Sequence, residues 1–375
     1  MKRDKPPENL LMERIDKRDA EALNWLRFIL NPDTTMPAVS DWPALMAFVE
    51  KQALIGICLP EECPKNLPKE LLLQWIGNVQ FIEQQNKLLN KRIEQLFELL
   101  ERDGFRCCLL KGQGNAAMYP NVLRRCPGDI DVWIDAEEND VFQYVRRQFP
   151  DAGETIKHIQ FPIFEDVSVD VHTAPLKFYS GRYQKRLQHW IEKNQNEQFV
   201  RRVKLDGINR EVKIPTTTFN LVYQMGHMFI HTFDEGLGLR QLVDYFYLLK
   251  GMEISSDERL NFVDTLKELG MFRFAQAVMW IECEVMGLSV ERCLITQDEK
   301  YGRRLLGDVL EGGNFGHFSQ RYNGNDGFYF KGLAEAWRNI TFLSIAPREG
   351  IARLIFRFST AVKHTYAKVV SELHI

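Results

Sequence analysis

Asp129-Ile130-Asp131-Val132-Trp133-Ile134 is the stretch from which the fold of this chain is best predicted. Apolar and acidic residues alternate in it, which is the period of a strand with one face on a core. Asp129 and Asp131 then project together from the other face, about 7 Å apart by the rise of a strand. Two carboxylates this close repel each other, and a divalent cation between them removes that cost. The stretch predicts a metal site, with an exposed polar strand face as the alternative.

A second stretch with the same alternation follows at residues 167–172. Three valines alternate there with Ser168, Asp170 and His172, so that Asp170 and His172 share one face. If this strand pairs beside the first, three carboxylates converge. Such a set suits a hard, oxygen-liganded ion such as Mg²⁺, and it suits two-metal displacement at phosphorus. The alternative is an unrelated, half-exposed strand.

A lysine-glycine turn precedes the acidic strand. Leu109-Leu110-Lys111-Gly112-Gln113-Gly114 has the pattern of a strand end, a glycine turn and a helix start. Backbone N–H groups at a helix start can bind phosphate, and a lysine adds a compact positive charge. The turn is not a Walker A loop, because GxxxxGK[ST] is absent. Arg124 and Arg125 lie between this turn and the acidic pair, either near the phosphate or in a solvated loop.

Composition sets limits on the class of protein. The chain has 375 residues, a net charge of −3 and a pI of about 6.3, which excludes a dominant nucleic-acid footprint. Its first residues lack the apolar stretch of a signal peptide, and no uncharged apolar run approaches the roughly 20 residues of a membrane helix. The cysteines number seven and show no CxxC spacing. We therefore expect free thiols in a reducing cytoplasm, rather than a disulfide framework or a zinc ribbon.

Periodicity divides the chain into three predicted regions. Residues 1–102 are mostly helical in pattern, and the clearest helix runs from Pro68 to Arg102 and ends before Gly104. Residues 103–215 alone have strand periodicity, including a hairpin at Asp206-Gly207. Residues 216–375 are helical again, with a Gly/Asn-rich loop at 312–327. The predicted fold class is α+β, with a small mixed-sheet core between N- and C-terminal helical regions.

The motifs, taken in order, resemble a known family. Leu110-Lys111-Gly112, Tyr119-Pro120, Arg125, Asp129-Ile130-Asp131 and Val169-Asp170-Val171-His172 are similar to the bacterial family described as uncharacterised nucleotidyltransferases, within the DNA polymerase β-type superfamily. The resemblance extends through His227, His231 and Leu239-Arg240-Gln241-Leu242-Val243-Asp244, and covers roughly residues 75 to 250. Lys111 and Gly112 stand where the superfamily usually has Gly-Ser.

The resemblance implies a metal-dependent transfer of NMP from an NTP to an acceptor hydroxyl, with release of pyrophosphate. It assigns Asp129, Asp131 and Asp170 to Mg²⁺, or to Mn²⁺ as the alternative, with Asp170 also as a base. It places Lys111, Gly112, Arg125 and His172 at the nucleotide. The acceptor is left open as a small molecule, a protein or an RNA, and the oligomeric state is left open. The alternatives are a non-catalytic nucleotide-binding or interaction module and a toxin-like modifier of RNA or protein.

Two further groups of residues admit a structural interpretation. His227 and His231 share one helical face, but HExxH is absent, so packing or lining of a cleft is favoured over zinc. The C-terminal segment from Trp337 to Lys368 mixes bases with aromatics. Packed helices with snorkelling bases are favoured there over a surface for an anionic acceptor, a nucleic acid or a membrane.

Overall fold

The computed structural model describes residues 16–316, 318 and 336–372, and the side chains as far as residue 362. The N-terminal part contains three helices: α1 (Lys17–Leu30), α2 (Trp42–Lys51) and α3 (Lys69–Arg102). The long helix predicted from Pro68 is confirmed. Residues 31–41 and 52–68 separate the three helices, because recurring prolines interrupt helical hydrogen bonding there.

The middle part holds a four-stranded mixed sheet. Its strands are β1 (Cys107–Leu110), β2 (Ile130–Ile134), β3 (Ile159–Gln160) and β4 (Val169–His172), in the order β1-β2-β4-β3. The β2–β4 pair is parallel, and the two outer pairs are antiparallel. Helices α4 (Gly112–Ala116), α5 (Glu138–Gln148) and α6 (Gly181–Asn194) accompany the sheet. The chain thus has the predicted α+β fold, and α4 begins at Gly112, directly after Lys111.

The pairing of the two acidic strands is confirmed. In the β2–β4 register, Asp131 lies opposite Asp170, and Trp133 lies opposite His172. Side chains at paired positions point to the same face of a sheet, so the two carboxylates necessarily share a face. The pairing brings together residues that are 39 positions apart in the sequence.

Both faces of the sheet are covered. Ile130, Val132 and Ile134 pack in a hydrophobic cluster that includes residues of α3. Trp133 points the other way and contacts Phe219, with ring centroids 5.7 Å apart. All five residues of β2 are buried. The alternation of side chains along β2 therefore directs them into two separate cores. The acidic residues lie at the end of the face that carries Trp133.

A hairpin and a set of helices complete the chain. Strands β5 (Arg202–Lys204) and β6 (Glu211–Lys213) pair antiparallel, and the predicted Gly207 lies in the turn with φ of +74°. The helices that follow are α7 (Thr217–Phe233), α8 (Leu239–Gly251), α9 (Ser256–Glu268), α10 (Phe272–Trp280), α11 (Glu299–Gly312) and α12 (Pro347–Glu372). Residues 281–285 form a π-helix, and residues 336–341 are also helical. Most of the predicted loop at 312–327 lies outside the described residues.

The cysteine prediction needs a correction. Cys283 and Cys293 form a disulfide across ten positions of sequence, whereas Cys58, Cys63, Cys107, Cys108 and Cys126 are free thiols. Counting cysteines and searching for CxxC does not detect a pair that is brought together by a turn of the tertiary structure. Within the described part of the chain, no helix is long and apolar enough to cross a membrane.

Helix α3 and the loop before it fix the segment that leads to the acidic strand. The Asn86 side-chain amide donates to the carbonyl oxygens of Leu123 and Arg125, at 2.6 and 2.8 Å. Gly56 packs directly on the same segment, because a Cβ atom added there would lie 2.1 Å from the carbonyl oxygen of Arg124. The backbone that carries residues 123–125 is therefore positioned by the N-terminal region.

We predict that Gly56→Ala destabilises the protein by about 1–3 kcal/mol, because the added methyl group overpacks a contact with backbone. Gly77→Ala is the matched control, since Gly77 lies in α3 with open space around its Cβ position. There the same change should raise the free energy of unfolding by up to about 1 kcal/mol, through helix propensity. Urea unfolding measures both, and equal effects of the two substitutions would contradict the close approach at Gly56.

Candidate active site

Three carboxylates converge at one end of the sheet. Asp129 directly precedes β2, Asp131 lies in β2 and Asp170 lies in β4, and one oxygen from each lies within 4.8 Å of the others. Ligands on opposite sides of one hard cation are separated by at most twice the metal–oxygen distance, or about 4–5 Å. The three side chains therefore fit a single Mg²⁺ or Mn²⁺ ion, and the predicted convergence is observed.

Asp131 is buried, and both of its oxygens have partners. Lys111 Nζ lies 2.9 Å from Oδ2, and His172 Nε2 lies 2.8 Å from Oδ1. Although burial by itself raises the pKa of this carboxyl, the Lys111 ammonium and the His172 ring hold the pKa of Asp131 below its usual range. Asp131 is consequently an anion near neutral pH. A contact of His172 with nucleotide stays a prediction.

Asp170 has the opposite electrostatic environment. Burial, together with the negative charges of Asp131 and Asp129, raises the pKa of Asp170 to about 6. His158 Nε2 lies 3.4 Å from its Oδ2, but burial and the neighbouring His172 lower the pKa of His158 to about 4. The His158 ring is therefore neutral near pH 7 and does not compensate the charge of Asp170. Adjacent acids with opposite pKa shifts are typical of catalytic sites.

Lys111 connects the acidic cluster to α7. Its backbone has φ of +48° between β1 and α4, a conformation that is uncommon for any residue except glycine. Its ammonium group lies 2.9 Å from His227 Nε2, in addition to its contact with Asp131. An ammonium group only donates hydrogen bonds, so His227 Nε2 accepts. Burial and the charge of Lys111 hold the pKa of His227 well below its usual range, in agreement with a neutral ring.

Two cavities meet at the carboxylates. The larger, of about 240 Å³, opens on the β4 side and is lined by Asp170, His158, Lys157 and Lys177 among others. The smaller lies on the α4 side, and its wall includes Gly112, Asn115, Arg125, Gln224 and Arg240. Lys111, Asp129, Asp131, His227 and Phe315 line both. The predicted site residues are thus gathered around one cleft with two sides.

Arg125 lies in the wall of the smaller cavity, but its guanidinium group is engaged within the protein. It makes two hydrogen bonds of 2.8 Å to the carboxylate of Asp244 in α8, and both side chains are almost completely buried. The Tyr119 hydroxyl donates to the same carboxylate at 2.6 Å. The carboxylate of Asp244 therefore binds both Arg125 and Tyr119. A contact of Arg125 with nucleotide stays a prediction.

Arg240 is a cation of this site that we did not predict from the sequence. It is only 7% exposed, its Nη1 donates to the carbonyl oxygens of Cys126 and Pro127, and its guanidinium group lies 5.3 Å from the centre of the Phe315 ring. Its Nε has no hydrogen-bond partner among the described residues. Arg240 belongs to the 239–244 motif, so a signal was present in the sequence. His158 and Phe315 had no comparable signal.

The two histidines of α7 line the cleft. His227 contacts Lys111, and His231 Nε2 lies 3.0 Å from His227 Nε2. Both histidines border the larger cavity. This placement agrees with the favoured interpretation of the pair as cleft-lining residues.

Part of the C-terminal basic-aromatic segment is structural. Arg353 Nε lies 2.9 Å from Asp234 Oδ1 and Phe342 is buried, whereas Trp337 and Phe358 are exposed. Tyr366, Lys363 and Lys368 lie beyond the described side chains. The packed-helix interpretation therefore holds for Arg353 and Phe342.

We predict that Arg125→Ala lowers the free energy of unfolding by about 3–5 kcal/mol, because it leaves Asp244 buried without its charge partner. The double substitution Arg125→Met/Asp244→Leu should recover most of that loss. Arg92→Ala, which breaks the exposed pair with Asp166, is the control and should cost much less. Urea unfolding measures these changes. Unchanged stability of Arg125→Ala together with weaker NTP binding would instead favour the nucleotide-binding role of Arg125.

We also predict an unusual pH dependence of stability. The pKa of Asp170 is about 6 in the folded protein and 3.8 in a model peptide, which represents the unfolded chain. Between pH 3.8 and pH 6 the folded state therefore holds a proton on Asp170 that the unfolded state has lost. Stability of the metal-free protein should therefore fall as pH rises through this window, by roughly 3 kcal/mol in total. Asp170→Asn should remove this loss of stability with rising pH, because the amide does not titrate.

Thermal unfolding in EDTA from pH 4.5 to pH 7.5 tests this prediction. Asp170→Asn should become more stable than the wild type as pH rises. In Mg²⁺ instead of EDTA, the difference in stability between the two proteins at pH 7 should be smaller. Asp166→Asn, at an exposed carboxylate paired with Arg92, should not become more stable at any pH. Parallel pH profiles of the wild type and Asp170→Asn would show that Asp170 has an ordinary pKa.

Comparisons with known proteins place these observations in a family. No curated protein matches the chain. A solved structure, titled as the crystal structure of an antigenic nucleotidyltransferase-like protein from Paracoccidioides brasiliensis, gives a TM-score of 0.32 at 11% identity. The match covers 59% of this chain and 96% of that one. The model of the family described as "Uncharacterised nucleotidyltransferase" matches residues 38–287, well over half of the chain and all of the sheet. The chain belongs to this uncharacterised nucleotidyltransferase family.

Proposed function

We propose that the protein transfers a nucleoside monophosphate from an NTP to an acceptor hydroxyl, with release of pyrophosphate. The observation that carries the proposal is the in-register pair of Asp131 and Asp170 on parallel strands, with Asp129 beside them. The three carboxylates have the chemistry and the spacing that a hard divalent cation requires. Membership in a nucleotidyltransferase family supports the same reaction.

Asp129, Asp131 and Asp170 would hold Mg²⁺, with Mn²⁺ as the alternative. When bound, the ion supplies charge neutralisation for the triphosphate and for the oxygens of the transferred phosphoryl group. Asp131 is held as an anion by Lys111 and His172. The ligand set is therefore ready for a cation without a prior proton loss from Asp131.

Asp170 is the residue best placed to act on the acceptor. Of the two cavities that meet at the carboxylates, Asp170 lines the larger and not the smaller, whereas Asp129 and Asp131 line both. Its pKa of about 6 is close to the operating pH, where a carboxylate accepts a proton most effectively during attack by a hydroxyl group. The larger cavity would hold the acceptor, and its lysines and histidines would contact polar groups of that molecule.

The smaller cavity would hold the leaving side of the triphosphate. Arg240 brings a buried positive charge to its wall, and this guanidinium group would attract the phosphate oxygens of the substrate. Fixed donors at the position where negative charge develops stabilise a transition state. Arg125 would act on this side mainly by fixing Asp244, Tyr119 and the wall that they form.

We predict that the wild-type protein, with Mg²⁺ and a cell extract as the source of acceptors, transfers label from an α-labelled NTP. Asp170→Asn should lower the rate by about 100- to 10,000-fold, as expected for loss of a general base. Asp129→Asn and Asp131→Asn should abolish transfer and weaken Mg²⁺-dependent NTP binding. Each of the four NTPs is tried separately, and pyrophosphate release is measured alongside.

Asp166→Asn is the matched control for these substitutions and should retain transfer, because Asp166 pairs with Arg92 outside the cleft. Mg²⁺-dependent NTP binding without transfer would support the alternative of a non-catalytic nucleotide-binding module. If the wild type neither binds NTP nor transfers label, the proposed function is overturned. The labelled product also separates a small-molecule acceptor from a protein or an RNA.

A further inference from the structure

The ammonium group of Lys111 lies within the carboxylate cluster, where a cation would otherwise be needed. It is 2.9 Å from Asp131 Oδ2, and the side chain is 20% exposed. Three carboxylates and one ammonium group leave two net negative charges. One divalent cation balances that charge, whereas a second would leave an excess of positive charge before any substrate is bound.

Asp131 also lacks an oxygen that is ready to bridge two ions. Oδ1 contacts His172 and Oδ2 contacts Lys111, and only 4% of the residue is exposed. In two-metal sites the ions lie about 3.5–4 Å apart and share ligands. An ion that bound at Oδ2 would have to share that oxygen with the Lys111 ammonium group, and the two positive charges would repel each other in a buried position.

The surroundings of Lys111 hold it in this position. His227 Nε2 accepts a second hydrogen bond from the ammonium group, and His231 contacts the same ring nitrogen. The positive φ of Lys111 is a conformation that persists only where neighbouring structure enforces it. The lysine is therefore fixed by contacts on two sides, and is not a flexible surface charge that happens to lie near the site.

We propose that Lys111 takes the place of a second metal ion, so that the carboxylates bind a single divalent cation. The inference rests on the proposed function and specifies the metal content of that site. Asp129 and Asp170 would supply most of the binding to the single ion. Lys111 would supply the positive charge that a second ion provides in a two-metal site. This charge would stay at the cluster when nucleotide binds.

Mn²⁺ binding measured by electron paramagnetic resonance tests the proposal. The full-length wild type should bind one Mn²⁺ per chain with an uncoupled spectrum, both alone and with an equimolar non-hydrolysable α,β-methylene NTP. Lys111→Gln removes the charge and nearly preserves the volume. It should bind two ions that show the spin coupling expected at about 3.5–4 Å separation.

Two further variants control for charge and for position. Lys111→Arg keeps the positive charge and should still bind one ion. Lys177→Gln makes the same chemical change in the same cleft, at a lysine that pairs with Glu138 at 3.1 Å, and should also bind one ion. Circular dichroism checks the fold. Should Lys111→Gln not fold, the wild-type and Lys111→Arg spectra still decide the number of ions.

The outcomes separate the inference from the proposed function. A coupled pair of ions in the wild type would overturn the role of Lys111 and leave the proposed function intact. One ion in both the wild type and a folded Lys111→Gln would also overturn it, because the lysine would then not determine the number. No Mn²⁺ binding at all, with or without the nucleotide, would contradict the proposed function and the inference together.

Discussion

The parallel pairing of β2 with β4 is the constraint on which the rest of the site depends. It places Asp131 opposite Asp170 and brings three carboxylates within 4.8 Å of one another. Such a cluster is electrostatically unfavourable, as the raised pKa of Asp170 indicates. The apolar residues of the same two strands hold it in place, since they pack into a core that cannot shift register without exposing itself.

A buried polar network then fixes the cleft between the sheet region and the C-terminal helices. Arg125 and Tyr119 meet at the carboxylate of Asp244, and Asn115 joins the same group and also accepts from Gln224. Its members come from residues 115–125, from α7 and from α8, so the network forms only when these parts of the chain are packed together. A satisfied buried network of this kind gives a site with one arrangement.

The electrostatics of the cleft differ on its two sides. The side toward α4 carries Arg240 and the buried Arg125–Asp244 pair, which suits the charged end of a triphosphate. The side toward β4 carries Asp170 and the neutral His158, and is about 240 Å³ in volume. Lys111 lies between them, bound to Asp131 and His227. In the proposed reaction, this division would place the triphosphate on one side of the acidic cluster and the acceptor on the other.

The sequence by itself determined β1, β2, β4 and the hairpin, and the α+β class, because periodicity of two and of 3.6 is a local property of the chain. The two-residue strand β3 is too short to show a period and was not predicted. The sequence also identified Asp129, Asp131 and Asp170 as one set. Only the tertiary structure decided which charges pair. Lys111 and Arg125, both expected at a phosphate, are bound to Asp131 and Asp244. Arg240 lies in the wall of the smaller cavity, and its buried Nε has no hydrogen-bond partner among the described residues. Asp244 lies 119 residues from Arg125 and belongs to helix α8, so a pattern that is local in the sequence cannot predict that the two side chains pair.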